Sequence, residues 1–245
     1  MWYFTADWHL NHANILKYCC RPFLSPEEAG LVELANKGSI PLKSVNISPQ
    51  SVLRMNDCII DSTNAVVGSN DNLVILGDFI WSSTPQDEIA RFIERLSCKN
   101  LYLIWGNHDN RQTLKRFFKS TYDAYSFSID GQHVFVSHYP HRSWHLSHYG
   151  SYMLYGHVHN HLADEDNNVI SPFQREKLVE CLDNLQIDIR KEKVDSFIES
   201  VFSIFSKKIL TLDVGVDNLR ENLPFGTPWS MNDIHCYMEK KKKNE

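Results

Sequence analysis

Residues 101–111 read LYLIWGNHDNR. The first five are apolar or aromatic, as is typical of a buried strand, and the chain then passes directly into glycine, asparagine, histidine and aspartate. Turns ordinarily draw on Gly, Pro, Asn, Asp and Ser, so a histidine in this position indicates more than a change of chain direction. The stretch therefore predicts a strand whose carboxyl end carries chemically active side chains.

The same transition recurs along the chain. Four further apolar runs end abruptly in polar residues: MWYFTADWH (1–9), NLVILGDF (72–79), QHVFVSHYP (132–140) and YMLYGHVHNH (152–161). Short runs bounded by Gly, Asn or Asp favour strands over helices. Segments 50–66 and 85–96 have helical spacing, so the alternation of strands and helices predicts an α/β fold.

The stretch YDAYSFSIDGQHVFVSHY (122–139) has an Asp-Gly pair between two strand-like runs, which predicts a β-hairpin. We therefore expect a mixed sheet. In α/β folds the loops at the carboxyl ends of the strands line the ligand crevice. All five polar clusters are expected to meet there.

Composition limits the classes of protein that this chain can belong to. With 245 residues, of which 42% are hydrophobic, the chain can bury one full core, and we expect a single domain over 1–245. The net charge of -5 gives no global attraction to nucleic acid. No apolar run approaches the roughly 18 residues of a membrane span, and Met1 leads directly into a strand. We expect a cytoplasmic protein whose six cysteines, which form no CxxC pair, are free thiols.

The residues at the five strand ends are nine in number: Asp7, His9, Asp78, Asn107, His108, Asp109, His138, His157 and His159. Each alone is typical of a turn, a helix cap or a hydrogen-bonded loop. Together, carboxylate oxygens and imidazole nitrogens without thiolate indicate Mn, Fe or Zn in a hydrolytic site. Seven candidate ligands exceed the four that a tetrahedral ion needs, so two metals with a shared carboxylate are expected.

The series Asp7-x-His9, Gly77-Asp78, Gly106-Asn107-His108-Asp109, His138 and Gly156-His157-x-His159 resembles the calcineurin-like metallophosphoesterase superfamily. The resemblance covers residues 1 to about 161, and ILTLDVGVD (209–217) is expected to complete the core. The stretch DWHLNHANILKYCCRPF (7–23) further resembles a small bacterial and phage subgroup with Asp-x-His-x-x-His-x-Asn-Ile followed by Arg-Pro-Phe, although Asn11 stands where glycine is usual. The implied fold is a β-sandwich of mixed sheets flanked by helices.

The resemblance also implies residue roles. It assigns seven metal ligands: Asp7, His9 and His159 to one ion, Asn107, His138 and His157 to the other, and Asp78 as the bridge. His108 would act as general acid, with Asp109 orienting its ring. The implied cofactors are two divalent ions that activate a bridging water, manganese being the leading expectation and iron, zinc, nickel or magnesium the alternatives.

Substrate contacts are less sharply indicated. Seven residues are candidates for substrate binding: His12, Asn14, Arg21, Arg111, His141, Arg142 and His145. The four that we select are His12, Arg21, Arg111 and His141. An arginine at these positions can grip phosphate oxygens bidentately or serve as an ion-pair partner. The indoles of Trp8, Trp81 and Trp144 can stack on a base, although core or rim packing is the simpler interpretation.

The leading function is a dinuclear phosphodiesterase that acts on a nucleotide-like or nucleic-acid-end substrate. A phosphomonoesterase or phosphoprotein phosphatase, or an inactive protein-binding scaffold of the same fold, stays open as an alternative. Residues 162–207 have helical spacing and are expected to form an inserted helix pair, either a partial lid, a contact surface or a flanking insertion. Residues 239–245 are expected to form a charged, disordered C-terminal tail.

Overall fold

The computed structural model describes residues 1–161, 180 and 210–243. The chain divides into two compact units, and the first, Met1–Asn160 with Leu210–Asn244, carries every element described below. The second unit is His161–Ile209. The predicted helical insertion falls in this second unit, almost wholly outside the described residues.

The described residues form nine strands and six α-helices. The strands are β1 (Trp2–Thr5), β2 (Asn72–Ile75), β3 (Asn100–Ile104), β4 (Ser120–Tyr122), β5 (Ala124–Ile129), β6 (Gln132–Ser137), β7 (Tyr152–Tyr155), β8 (Thr211–Asp213) and β9 (Trp229–Ser230). The helices are α1 (Ala13–Tyr18), α2 (Pro26–Asn36), α3 (Pro49–Val66), α4 (Gln86–Arg95), α5 (Arg111–Leu114) and α6 (Met231–Lys243). Of the helices in the described ranges, none combines the length and apolar character that crossing a bilayer requires.

The strands form two mixed sheets, as predicted. The first has the order β4-β3-β2-β1-β9, in which β1 to β4 are parallel and β9 is antiparallel to β1. The second has the order β5-β6-β7-β8, with only β5 antiparallel to its neighbour. The predicted hairpin turns at Asp130 (φ 49°) and Gly131 (φ 84°), where both residues need a left-handed backbone.

The first sheet is buried on both faces. In and just after β2, Leu73 and Ile75 belong to one apolar cluster and Val74 and Leu76 to another, because successive side chains point to opposite faces. The first cluster includes buried residues of helices α3 and α4, which matches the helices predicted at 50–66 and 85–96. The second cluster contains residues of both sheets. The two sheets therefore form the predicted sandwich, with helices on the outer face of the first sheet.

The predicted disorder of residues 239–245 is wrong for 239–243, which belong to helix α6. The Nζ of Lys241 donates to the carbonyl of Thr211 in β8 at 2.8 Å. Three apolar side chains at helical spacing are buried along α6: Met231, Ile234 and Met238. This apolar face anchors the helix before the lysine run begins, so the charges extend a helix that already exists.

A buried carboxylate joins the starts of helices α2 and α3. Glu28 accepts hydrogen bonds from the backbone N–H groups of Ser25 (2.7 Å) and Ser48 (2.5 Å) and from the hydroxyl of Ser51 (2.5 Å). Burial raises the pKa of Glu28, but these hydrogen bonds outweigh burial and lower it to about 2 from a usual value of 4.5. The ionised side chain therefore contributes to the stability of the fold.

We expect Glu28→Gln to lower the free energy of unfolding by about 1–3 kcal/mol at neutral pH, since hydrogen bonds to a charged group are lost. Because the folded pKa is depressed, this contribution is complete above the unfolded pKa near 4.5 and disappears as the pH falls toward 2. Denaturant unfolding of both proteins between pH 7 and pH 2.5 measures the difference. Glu27→Gln, at an exposed position in the same helical turn, is the matched control and should change little. A difference that does not vary with pH would contradict this assignment.

Candidate metal centre

The polar clusters converge because their strands end at the same edge of the sandwich. The N–H of Asp7 donates to the carbonyl of Gly77 at 3.1 Å, and that of His9 to the carbonyl of Asp78 at 2.8 Å. The N–H of His157 donates to both carboxylate oxygens of Asp7, at 3.0 and 2.9 Å. These bonds tie the loops after β1, β2 and β7 together, as the sequence predicts.

The backbone at these strand ends is unusual. Five of the seven predicted ligands have a left-handed backbone: Asp7 (φ 57°), His9 (50°), Asp78 (53°), His157 (73°) and His159 (49°). Non-glycine residues seldom adopt this conformation, and each instance costs about 1–3 kcal/mol where the backbone is strained. Such a concentration of strain is typical of a functional site.

Three predicted ligands form a first donor group. One side-chain oxygen or nitrogen from each of Asp7, His9 and His159 lies within 4.8 Å of the others. The Nε2 atom of His9 is buried and has no hydrogen-bond partner within the part of the chain that the structure describes. A buried, unpartnered imidazole nitrogen is costly unless it binds a ligand.

A second donor group consists of Asp78, His138 and His157, again with donor atoms within 4.8 Å of one another. Asp78 Oδ2 lies 3.4 Å from His9 Nε2 and 3.5 Å from His138 Nε2, so this oxygen faces both groups. The amide oxygen of Asn107 is 3.1 Å from His138 Nε2. Each of the seven predicted ligands therefore lies in or beside one of the two groups.

Backbone contact fixes the tautomer of His138. Its Nδ1 lies 2.8 Å from the carbonyl of Leu76, which can only accept, so Nδ1 carries the proton. In the neutral ring Nε2 then has a free lone pair directed at Asp78 and Asn107. This is the arrangement that a metal-binding histidine needs.

The electrostatics of the cluster also suit a cation. Burial, together with the nearby carboxylates Asp213 and Asp78, raises the pKa of Asp7 well above its usual range. Burial lowers the pKa of His9 and of His138, which favours the neutral rings. Neutral imidazoles and crowded carboxylates form a donor set that fits a divalent transition-metal ion.

His108 lies beside the first donor group. Its backbone N–H donates to Asp78 Oδ1 at 2.9 Å, and its ring centroid is 5.1 Å from that of His9, with the two rings edge to face. The side chain is half-buried. His108 is thus held next to the donor atoms with part of its side chain exposed.

The carboxylate of Asp109 is bound by backbone N–H groups. Its carboxylate accepts backbone N–H groups from Gly106 (2.8 Å), Asp78 (3.0 Å) and Phe79 (3.0 Å), and the ring of His108 is not among its hydrogen-bond partners in the described chain. Burial raises the pKa of Asp109 to about 6 although these bonds lower it. Asp109 therefore joins the loops after β2 and β3, and its orientation of the His108 ring stays a prediction.

The two arginines predicted to bind substrate each form an ion pair. The side chain of Arg21 is fully buried and donates to Asp217 and to backbone carbonyls. Arg111 is exposed, forms an ion pair with Asp123 and lies over the Trp105 ring. Arg21 is too deeply buried to reach a substrate, whereas substrate binding by the exposed Arg111 stays a prediction.

The other predicted substrate contacts lie nearer the donor groups. His12 Nδ1 is 3.3 Å from His9 Nδ1, and its ring stacks on Trp81 with centroids 4.0 Å apart. His141 is exposed, and its Nε2 is 3.1 Å from the hydroxyl of Ser137, next to His138. These positions keep His12 and His141 as candidates for substrate contact.

Two of the three tryptophans that were considered for base stacking are packed in the core. Trp8 is fully buried against Phe79, and Trp144 is buried with its Nε1 donating to Ser151. Trp81 alone of the three is half-buried. Only its ring is available at the rim of the site.

Two carboxylates of the site were not predicted. Asp213, at the end of β8, accepts the N–H groups of Asn160 (2.9 Å) and Gly215 (2.7 Å). Asp217 Oδ2 is 2.7 Å from His159 Nδ1. The signal was present in the run TLDVGVD (211–217), in which a short apolar run passes directly into a carboxylate, as it does in the runs that end at Asp7 and Asp78.

One cysteine lies beside the first donor group. The five cysteines in the described ranges are free thiols, as predicted. The thiol of Cys19 lies within 4.8 Å of donor atoms of His159 and Asp217. Burial and the neighbouring Asp217 carboxylate raise its pKa to about 12, so the thiol is protonated at neutral pH.

Comparison with known proteins identifies related sequences. Residues 58–172 match the calcineurin-like phosphoesterase superfamily domain. The uncharacterized protein MJ1445 of Methanocaldococcus jannaschii is 31% identical over 163 residues, which cover 66% of this chain and 72% of the relative. The family match includes the strand ends from Asp78 to His159.

Two solved structures are also similar. A protein of unknown function from Aquifex aeolicus, AQ665, has 18% identity and a TM-score of 0.46, and the similarity covers 89% of this chain and 90% of that one. A novel archaeal phosphodiesterase has 19% identity and a TM-score of 0.29, with 65% and 73% covered.

The packing around Asp78 generates a prediction for Gly106. A Cβ atom at Gly106 would lie 2.2 Å from Asp78 Oδ1 and 2.5 Å from the backbone nitrogen of Asp78, neither of which can move freely. We expect Gly106→Ala to lower the free energy of unfolding by at least about 1–3 kcal/mol and to lower metal content. Gly30→Ala, in helix α2 with no atom within 4 Å of the added carbon, is the control and should be neutral or slightly stabilising. Thermal unfolding and metal analysis check both variants, and unchanged values for Gly106→Ala would refute the packing argument.

Proposed function

Because this chain belongs to the calcineurin-like phosphoesterase superfamily and is therefore a phosphoester hydrolase, we propose that its centre holds two divalent metal ions and cleaves a phosphodiester. The observation that carries the proposal is the pair of donor groups with Asp78 between them. The unpartnered Nε2 of His9 supports it independently. The substrate we propose is nucleotide-like or a nucleic-acid end.

The ligand assignment follows the two groups. Asp7, His9 and His159 would hold one ion, His138, His157 and Asn107 would hold the other, and Asp78 would be shared between them. When bound, such a pair of ions lowers the pKa of water and neutralises charge on a phosphate. Manganese is the ion we propose, with iron, zinc, nickel and magnesium as alternatives, since carboxylate oxygen suits manganese and magnesium while imidazole nitrogen suits iron, zinc and nickel.

His108 is proposed as the general acid. Its backbone is fixed by Asp78 Oδ1, and its half-buried ring lies next to that of His9, so the ring can reach an oxygen of a phosphate bound at the centre. Proton donation matters because an alkoxide leaves poorly without it. His108 supplies this proton without serving as a ligand.

The rim of the site favours a planar group on the substrate. The rings of His12 and Trp81 are nearly parallel, at 19°, and Trp81 lies 5.7 Å from His108 by ring centroids. Aromatic faces stack on nucleobases with little dependence on sequence. This aromatic pair beside the proposed acid supports a nucleotide-like diester over a phosphoprotein.

The metal assignment predicts that the stripped protein is inactive and that manganese restores its activity, with about two ions bound per chain. Asp78→Asn should lower activity more than substitution of any other ligand, since only Asp78 faces both donor groups. Metal analysis and a panel of phosphodiesters and monoesters measure both effects. Asp61→Asn, at an exposed carboxylate outside the site, serves as the control. Binding of a single ion would contradict the dinuclear centre, and faster cleavage of monoesters would contradict the diesterase.

The acid assignment predicts that His108→Ala retains both metals. Its rate on an alkyl phosphodiester should fall by roughly 10²–10⁴-fold, while the rate on a nitrophenyl ester, whose leaving group needs no proton, should fall far less. Single-turnover rates on the two substrates give the comparison.

His133→Ala is the matched control for this experiment, because His133 is an exposed histidine on β6 away from the donor groups. It should change neither rate. Loss of metal in His108→Ala, or equal slowing on both substrates with metals in place, would sink the assignment of His108 as the acid.

A further inference from the structure

The buried guanidinium of Arg21 joins three segments of the chain. It donates to both carboxylate oxygens of Asp217, from Nε at 2.9 Å and from Nη2 at 2.7 Å. It also donates to the backbone carbonyls of Asp7 (2.7 Å) and Trp8 (2.9 Å). These bonds link the loop after α1, the loop after β1 and the loop after β8.

The contact with Asp7 supports a strained residue. Asp7 is a member of the first donor group, and its backbone is left-handed. Such a conformation persists only where the surroundings hold it. Arg21 restrains Asp7 by donating to its backbone carbonyl, and the N–H of His157 restrains it by donating to its carboxylate.

The contact of Asp217 with His159 sets the state of a second donor. A carboxylate paired bidentately with arginine is ionised and can only accept, so His159 Nδ1, at 2.7 Å, carries the proton and donates. The remaining nitrogen, Nε2, then has its lone pair free. Carboxylates that act on ligating histidines in this way fix the ring and strengthen it as a donor.

We propose that Asp217 and Arg21 are positioning residues for the first donor group, and this inference rests on the proposed dinuclear function. Arg21 holds the backbone of Asp7 directly and holds the ring of His159 through Asp217. Two of the three ligands in the group are therefore set by one buried ion pair. Both side chains are buried, Arg21 fully and Asp217 with 7% of its side chain exposed, so their role is to position ligands.

The effect is specific to one half of the centre. In the second donor group the corresponding proton of His138 goes to the carbonyl of Leu76, a backbone group that is independent of Arg21. Loss of the Asp217 carboxylate should therefore lower the affinity of the first donor group for its ion and leave the affinity of the second group unchanged. A residue that only stabilised the fold would affect both ions together.

The test is Asp217→Asn, which keeps the shape of the side chain and removes its charge. We expect the affinity for one of the two Mn²⁺ ions to fall about 10–100-fold, the usual effect of losing such a partner, with the affinity for the other unchanged in calorimetric titration. Electron paramagnetic resonance at limiting Mn²⁺ should then show an isolated ion, where the unsubstituted protein shows a coupled pair.

Asp233→Asn is the control, because it breaks the other Arg–Asp pair of the C-terminal segment, Arg220–Asp233 at 3.1 Å, away from the donor groups. It should leave both affinities unchanged. Equal weakening of both ions by Asp217→Asn, or no weakening, overturns the positioning role. If the unsubstituted protein itself binds fewer than two ions, the proposed function fails instead, so the two failures are distinguishable.

A second measurement covers the case in which Asp217→Asn does not fold. Nitrogen-15 NMR of the histidine rings in the unsubstituted, metal-free protein should show His159 protonated at Nδ1 and unprotonated at Nε2. The Nε2 signal should respond when a diamagnetic ion, Zn²⁺, is added. A proton on Nε2, with Nδ1 bare, overturns the proposal whatever the variant does.

Discussion

The carboxylate of Asp78 is the constraint on which the site depends. Its Oδ1 accepts the N–H of His108, and its Oδ2 lies within 3.5 Å of histidine nitrogens from both donor groups. For this carboxylate to occupy its position, residue 106 must lack a side chain and Asp78 must adopt a left-handed backbone. The loop geometry after β2 and β3 is thus dictated by one side chain, and the parallel sheet provides the scaffold that holds both loops in register.

The fold and the candidate site residues could be predicted because each depends on short, local stretches of sequence. Each strand is a short apolar run, and each functional cluster directly follows one, so the topology of an α/β sheet is enough to bring Asp7, Asp78 and His138 to one edge. The helices at 50–66 and 85–96 were predictable from their periodicity for the same reason. The prediction of disorder at residues 239–243 was wrong because it considered only the charged residues. The apolar residues that anchor this helix precede the lysines.

The roles of the supporting residues could not be predicted from local sequence. Arg21 and Asp217 are 196 positions apart, and nothing in the sequence around either one indicates its partner. Asp109 adjoins His108 in sequence, which suggested a contact between them, yet its carboxylate turns toward the backbone of the neighbouring loop. Side-chain identity indicates which groups can bind a metal, whereas hydrogen-bond partners depend on packing between distant segments.

The pairing of β9 with β1 has a consequence for how this protein is made. Tyr3 pairs with Ser230, so the edge of the first sheet is completed by residues that are synthesised long after β1. At a translation rate of roughly 5–20 residues per second, the edge of β1 that pairs with β9 stays unpaired for on the order of ten seconds or more. An unpaired edge of this kind invites association with other chains. Newly made molecules therefore pass through an interval of vulnerability to aggregation, and chaperones that bind exposed strands would act in that interval.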